Sequence, residues 1–83
     1  MACDNPRRCQ DSACCSQGKK YQWPELLGKD AMEAKKIIES DNPEVTVEIE
    51  TKGIYNFNPD FCCNRVIIFA NHGFVDIPFP QIG

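Results

Sequence analysis

Apolar and polar positions recur along this chain in two distinct rhythms, and each rhythm predicts an element. Between residues 30 and 40, Ala31, Ala34, Ile37 and Ile38 return at helical spacing and form one apolar stripe. Asp30 stands just ahead of the stripe, where its carboxylate can accept from the exposed amides of a first turn. Glu33, three residues on, completes a capping box of the Asp-x-x-Glu kind. Asp41-Asn42-Pro43 stops the helix near Ser40, because the residue before a proline disfavours the α region.

The second rhythm is alternation. Val45, Val47 and Ile49 are interleaved with Thr46, Glu48 and Glu50, the period-two signature of a half-buried strand. Arg65-Val66-Ile67-Ile68-Phe69-Ala70 is more continuously apolar and predicts a central strand. Asn71-His72-Gly73 reads as a turn, and Phe74-Val75-Asp76-Ile77 as a short third strand. Pro78 and Pro80 keep the tail out of any central position in a sheet. The chain has no internal repeat.

Thr51 to Asn64, between the first two strands, follows neither rhythm. Connections of this length without their own secondary structure are commonly functional. This one carries Ile54, Tyr55, Phe57 and Phe61, side chains that either meet a partner or fold back over the core. Ahead of the helix, Trp23 is the largest candidate for burial. Residues 1–20 hold four of the six cysteines and almost no large apolar side chains, so they read as an arm tied down by disulfides.

Composition sharpens this picture. A chain of 83 residues fits one domain. Such a domain buries only about 60% of its unfolded surface and needs further constraint. Six cysteines in so short a chain predict a disulfide framework and an oxidising compartment, extracellular or vacuolar. Spacing alone does not choose the pairing. Met1 to Arg8 lack the apolar stretch of a signal peptide, which leaves a mature form, an engineered piece, or export by another route.

The net charge of −3 is interspersed. Arg7-Arg8, Lys19-Lys20 and Lys35-Lys36 are isolated pairs that form no stripe for nucleic acid. No apolar run approaches the ~20 residues of a membrane span. Cys3, Cys9, Cys14 and Cys15 contain no C-x2-C pair, and the single histidine, His72, falls in a turn, so no metal or other cofactor is expected. Nor does the sequence orient His72 toward a cysteine for catalysis, and an enzyme is not predicted.

Trp23-Pro24-Glu25-Leu26-Leu27-Gly28-Lys29, Ala34-Lys35-Lys36, Asn64-Arg65-Val66 and Ile82-Gly83 together resemble the potato inhibitor I family, over residues 21–83. The resemblance implies an α+β fold: one helix on a small mixed sheet, a long exposed reactive-site loop between parallel strands, and here an added disulfide-tied arm at 1–20. It implies a monomeric, secreted defence protein that inhibits a serine endopeptidase by offering the loop as a substrate-like strand. Counting back from Arg65 sets the reactive bond at Pro59–Asp60, with Pro59 in the specificity position. Counting forward from Gly53 sets it at Asn58–Pro59. Phe57, Asn58 and Phe61 are then enzyme-contacting residues.

Proline at the bond fixes φ and removes a donor, a departure from the family pattern that implies an unusual target: subtilisin-like, elastase-like or proline-tolerant. A non-inhibitory interaction or storage protein on the same scaffold is the alternative. Arg65 is the loop-supporting arginine of the family, whereas its usual partners are replaced by Cys62 and Ile67. By the same resemblance, Cys63 is expected to bond to Cys14 or Cys15. A bridge from Cys62 would replace the lost arginine brace with a covalent one; the alternative is a free buried thiol.

Overall fold

The computed structural model describes residues 9–51, 53 and 61–83. The N-cap half of the capping box forms as read. Asp30 accepts from the amides of Met32 and Glu33, and α2 runs Ala31–Asp41. It ends one residue beyond Ser40, with Asn42 in an extended conformation ahead of Pro43. Ala31, Ala34 and Ile38 are buried, but Ile37 is exposed. The core-facing stripe is therefore narrower than the spacing implied, because the small sheet covers only one side of the helix.

Strands β1 (Thr46–Thr51) and β2 (Arg65–Asn71) pair in parallel, with Thr46 opposite Arg65 and Thr51 opposite Ala70. Strand β3 (Phe74–Val75) pairs antiparallel on the other side of β2, which makes β2 central. Between β2 and β3, His72 and Gly73 have φ of 54° and 82°. Two consecutive positive φ values make a two-residue hairpin turn whose twist matches the strands, and glycine accepts that conformation without strain.

The third strand is shorter than its sequence suggested. The amide of Ile77 is taken by the Asp76 carboxylate at 2.8 Å, which removes it from the ladder, and Ile77 is 68% exposed. The tail nevertheless returns to the sheet. Ile82 bridges Val66 and Gln81 bridges Gln22.

The core lies between α2 and one sheet face. Val47, Val66, Ile68 and Ala70 meet Ala31, Ala34 and Ile38, closed at the ends by Trp23, Leu26, Val45, Val75 and Ile82. From Cys9 on, where the arm is described, it has secondary structure of its own. It contains a five-residue helix, α1 (Ser12–Ser16), capped by Asp11, whose side chain accepts from the Cys14 amide. Cys9 and Cys15 join the core cluster.

Edge strand β1 is guarded by the helix. Glu39 accepts from the Val47 amide at 3.0 Å and from Lys35 Nζ at 3.1 Å. The Val47 amide, and then Lys35, hold the Glu39 carboxyl below its ordinary pKa, against an opposing effect of burial. A carboxylate depressed on folding stabilises fully above its unfolded pKa of about 4.3, and that contribution fades as pH falls through the lower folded value. Glu39→Gln is expected to flatten stability against pH in this acid window while changing it little in shape above it. Urea titrations at stepped pH check this; an unaltered acid limb would remove Glu39 as a contributor.

Candidate functional site

Parallel pairing makes a demand on the chain between β1 and β2. Thr51 lies level with Ala70 and Arg65 level with Thr46, so residues 52–64 must return the chain along the length of the strands. Five rungs at about 3.3 Å make that return roughly 16 Å, a crossover usually made by a helix. The described parts of this connection are Gly53 and the foot, Phe61 to Asn64. Gly53 has φ of 87°, a region that L side chains rarely adopt. Asn58, Pro59 and Asp60, which carry both registers of the reactive bond, lie outside the described residues, as do Phe57, Ile54 and Tyr55.

The foot is anchored on several sides. The Asn64 carbonyl accepts from the Thr46 amide at 2.9 Å, which hooks it to the head of β1. Cys62 is buried outside the main core cluster, whereas Cys63 packs against that cluster.

Cys63 is bonded to Cys15, across 48 residues, with Cα atoms 5.0 Å apart. Of the two partners the resemblance allowed, Cys15 is the one used. Cys14 bonds instead to Cys9, five residues away. Cys62 is disulfide-bonded as well, so the free-thiol alternative falls. Covalent anchoring thus stands where an arginine brace was absent.

Arg65 is almost wholly buried. Its Nε donates to the Gly83 carbonyl at 2.7 Å and lies 3.7 Å from a Glu48 carboxylate oxygen. Its own carbonyl accepts from the Gly83 amide at 2.9 Å. Gly83 is thus gripped at both of its backbone groups. The ring of Phe61 lies over it: a methyl group added at Gly83 would come 3.4 Å from Phe61 Cε2. Phe61 is half-buried, so of the loop's apolar side chains the one described folds back onto the body. Ile67, at the other brace position, lines an apolar groove with Phe61, Phe69 and Phe79.

Two contributors gave little signal in the sequence. Ser12 Oγ donates to the Ile82 carbonyl at 2.5 Å, and the Ile82 amide donates to the Tyr21 carbonyl at 3.0 Å. The arm, the tail and the loop foot therefore share one corner. Asp11-Ser12 could have been read as a helix start from its capping chemistry, but the tail that Ser12 holds is 70 residues away. The Sγ atoms of Cys9, Cys15 and Cys63 lie within 4.8 Å of one another, yet each is in a disulfide and offers no thiolate to a metal. His72 stays in its exposed turn.

Among the described residues, the arrangement is that of an anchored loop foot. The sequence profile described as the Potato inhibitor I family matches residues 15–83. The ethylene-responsive proteinase inhibitor 1 of Solanum lycopersicum is 41% identical over 83% of this chain and 58% of its own length. An inhibitor of trypsin and Hageman factor from Cucurbita maxima is 41% identical over 77% of this chain and 93% of its own. Among solved structures, bitter gourd trypsin inhibitor superposes with a TM-score of 0.71 at 34% identity, covering 78% of this chain and 94% of that one. The chain thus spans less than two thirds of the tomato protein and nearly all of the two cucurbit inhibitors.

Proposed function

The chain belongs to the potato inhibitor I family, and from that premise we propose that it inhibits serine endopeptidases by laying residues 57–61 in the enzyme's cleft as a substrate-like strand. The observation that carries this reading is the anchored foot. Cys63 is tied covalently to the arm, and Arg65, next in line after Asn64, is locked to Gly83. A segment held in this way loses little freedom on binding, so contact energy is not consumed in ordering it. If the reactive bond is cut, the new amine stays near the acyl group and religation competes with hydrolysis.

Pro59 sets the specificity. It offers no cationic group to a trypsin-like pocket, and it fixes φ at the position where the chain enters that pocket. The targets are therefore enzymes with shallow or proline-tolerant pockets, subtilisin-like or elastase-like, met by a monomer in an extracellular or vacuolar compartment where disulfides persist. Titration against subtilisin, elastase, chymotrypsin and a proline-specific peptidase tests the reading. Stoichiometric loss of activity in at least one is expected. Indifference of all four would favour a non-inhibitory scaffold.

Pro59→Leu is expected to strengthen inhibition of subtilisin or chymotrypsin by more than about tenfold, since one apolar side chain in a specificity pocket is worth roughly 1–3 kcal/mol. Inhibition constants for the two forms, measured side by side, check this. No gain would mean that residue 59 never reaches the pocket.

A further inference from the structure

The two described disulfides lie side by side, and they differ in exposure. Cys14 is exposed, whereas its partner Cys9 is 3% exposed and Cys15 is 9% exposed. Cys9 Sγ lies within 4.8 Å of the sulfurs of both Cys15 and Cys63. Cys63 is part-buried, so the bridge more open to solvent, at Cys14, is not the one that anchors the loop, and its buried half lies beside the one that does. We infer that the Cys9–Cys14 bridge is a thiol-exchange site: a dithiol reductant enters at Cys14, and Cys9 relays the exchange to the Cys15–Cys63 bridge.

The chemistry balances in three steps. A thiolate of the external dithiol attacks Cys14 Sγ, forms a mixed disulfide there, and expels Cys9 as a thiolate. The second thiol of the reductant then attacks the mixed disulfide, leaves as a cyclic or intramolecular disulfide, and frees Cys14. The reductant has lost two electrons and the Cys9–Cys14 bridge has gained them. Cys9 thiolate then attacks Cys63 Sγ and expels Cys15, or attacks Cys15 Sγ and expels Cys63. This last step carries no net redox change, because one disulfide replaces another, and the reductant's two protons end on Cys14 and on the expelled thiol.

Rates of exchange follow which sulfur can be reached and how close the attacking thiolate is held. Cys14 meets the first condition. Cys9 meets the second, because it is fixed beside its target in the packed core. The short span of the Cys9–Cys14 bridge also means that opening it returns less chain entropy than opening Cys15–Cys63, so the fold persists while the relay proceeds. An exchange-labile bridge would give the inhibitor a reductive release of its loop anchor, but the exchange stands on sulfur geometry alone and needs no inhibitory activity.

The test is a time course with limiting dithiothreitol, quenched by alkylation and read by non-reducing peptide mapping. Cys9–Cys14 should open first, followed by a pair joining Cys9 to Cys63 or to Cys15. In Cys9→Ser/Cys14→Ser the Cys15–Cys63 bridge should open at least about tenfold more slowly. An unchanged rate, or wild-type protein in which no rearranged Cys9 pair is trapped, would overturn the relay. Should the double variant not fold, Cys14→Ser alone decides: Cys9, left as a thiol, should convert part of the Cys15–Cys63 bridge without added reductant, and full retention of that bridge beside a free Cys9 refutes the inference. None of these readouts measures inhibition, so a failure of the proposed function would leave them untouched.

Discussion

Removing the Cys15–Cys63 bridge by Cys15→Ala/Cys63→Ala is expected to lower the unfolding free energy by up to about 4 kcal/mol, the Cys62 bridge one residue away still constraining the unfolded chain. The bridge closes a loop of 48 residues, so its loss releases a large part of the unfolded chain's freedom. A matched variant, Cys9→Ala/Cys14→Ala, opens a span of only five residues and should cost about 2 kcal/mol in the same chain-entropy picture. For a domain of this size the first change lowers the melting temperature on the order of 20 °C. The contrast between the variants decides the cause. Equal losses would show that local packing of Cys9 and Cys15 in the core, and not loop closure, supplies the stabilisation. A loss below about 1 kcal/mol for the long bridge would show that the Cys62 bridge, with Ser12, Tyr21 and Arg65, holds the corner without it.

The same variant has a functional expectation. With the bridge intact, both ends of a cut loop stay attached to one rigid body. Without it, the foot after Asp60 keeps only the Cys62 bridge and its hydrogen bonds, and the released amine moves away from the acyl enzyme more readily. Inhibition should then become temporary, with protease activity returning over hours as the chain is consumed. Recovery of enzyme activity after stoichiometric mixing checks this.

How much of the anchoring could be read from the sequence depends on how local each signal is. The capping box at Asp30 and Glu33 acts within one turn, so residue identity was sufficient to locate the helix. The alternation of Val45, Val47 and Ile49 acts within one strand, and it located β1. Ile37 was misread because periodicity reports which residues share a side, but not how wide a neighbour will cover that side. Ile77 was misread because the Asp76 carboxylate competes with the ladder for its amide, a choice made by one side-chain rotamer. The grip of Arg65 on Gly83 and of Ser12 on Ile82 left no trace in the pattern. Those contacts join residues 18 and 70 positions apart, and only the folded chain brings them together. The disulfide partner of Cys63 was narrowed to two by resemblance, and the choice between them is made by α1, which buries Cys15 and turns Cys14 outward.

Trp23→Ala is expected to destabilise the fold by about 3–5 kcal/mol, the range for truncating a fully buried large aromatic. Trp23 is entirely inaccessible to solvent and belongs to the core cluster. It also joins three parts of the chain. Its amide donates to the Pro80 carbonyl at 2.8 Å, which fixes the tail. Its indole Nε1 donates to Asp41 at 3.0 Å, which fixes the last turn of α2. The Lys20 ammonium lies 6.0 Å from the ring centroid and 3.8 Å from the same Asp41 carboxylate, at the exposed rim of this corner. Two effects can be separated by a second variant. Trp23→Phe keeps most of the apolar volume but removes the indole donor, so it should cost about 1–2 kcal/mol from the lost hydrogen bond and a smaller cavity. Adding Asp41→Asn to Trp23→Phe should cost little more, because the indole–carboxylate bond is already gone. If Trp23→Phe proves as damaging as Trp23→Ala in denaturant titrations, the corner depends on the bond to Asp41; if it is neutral, the ring's volume alone holds the tail against the helix.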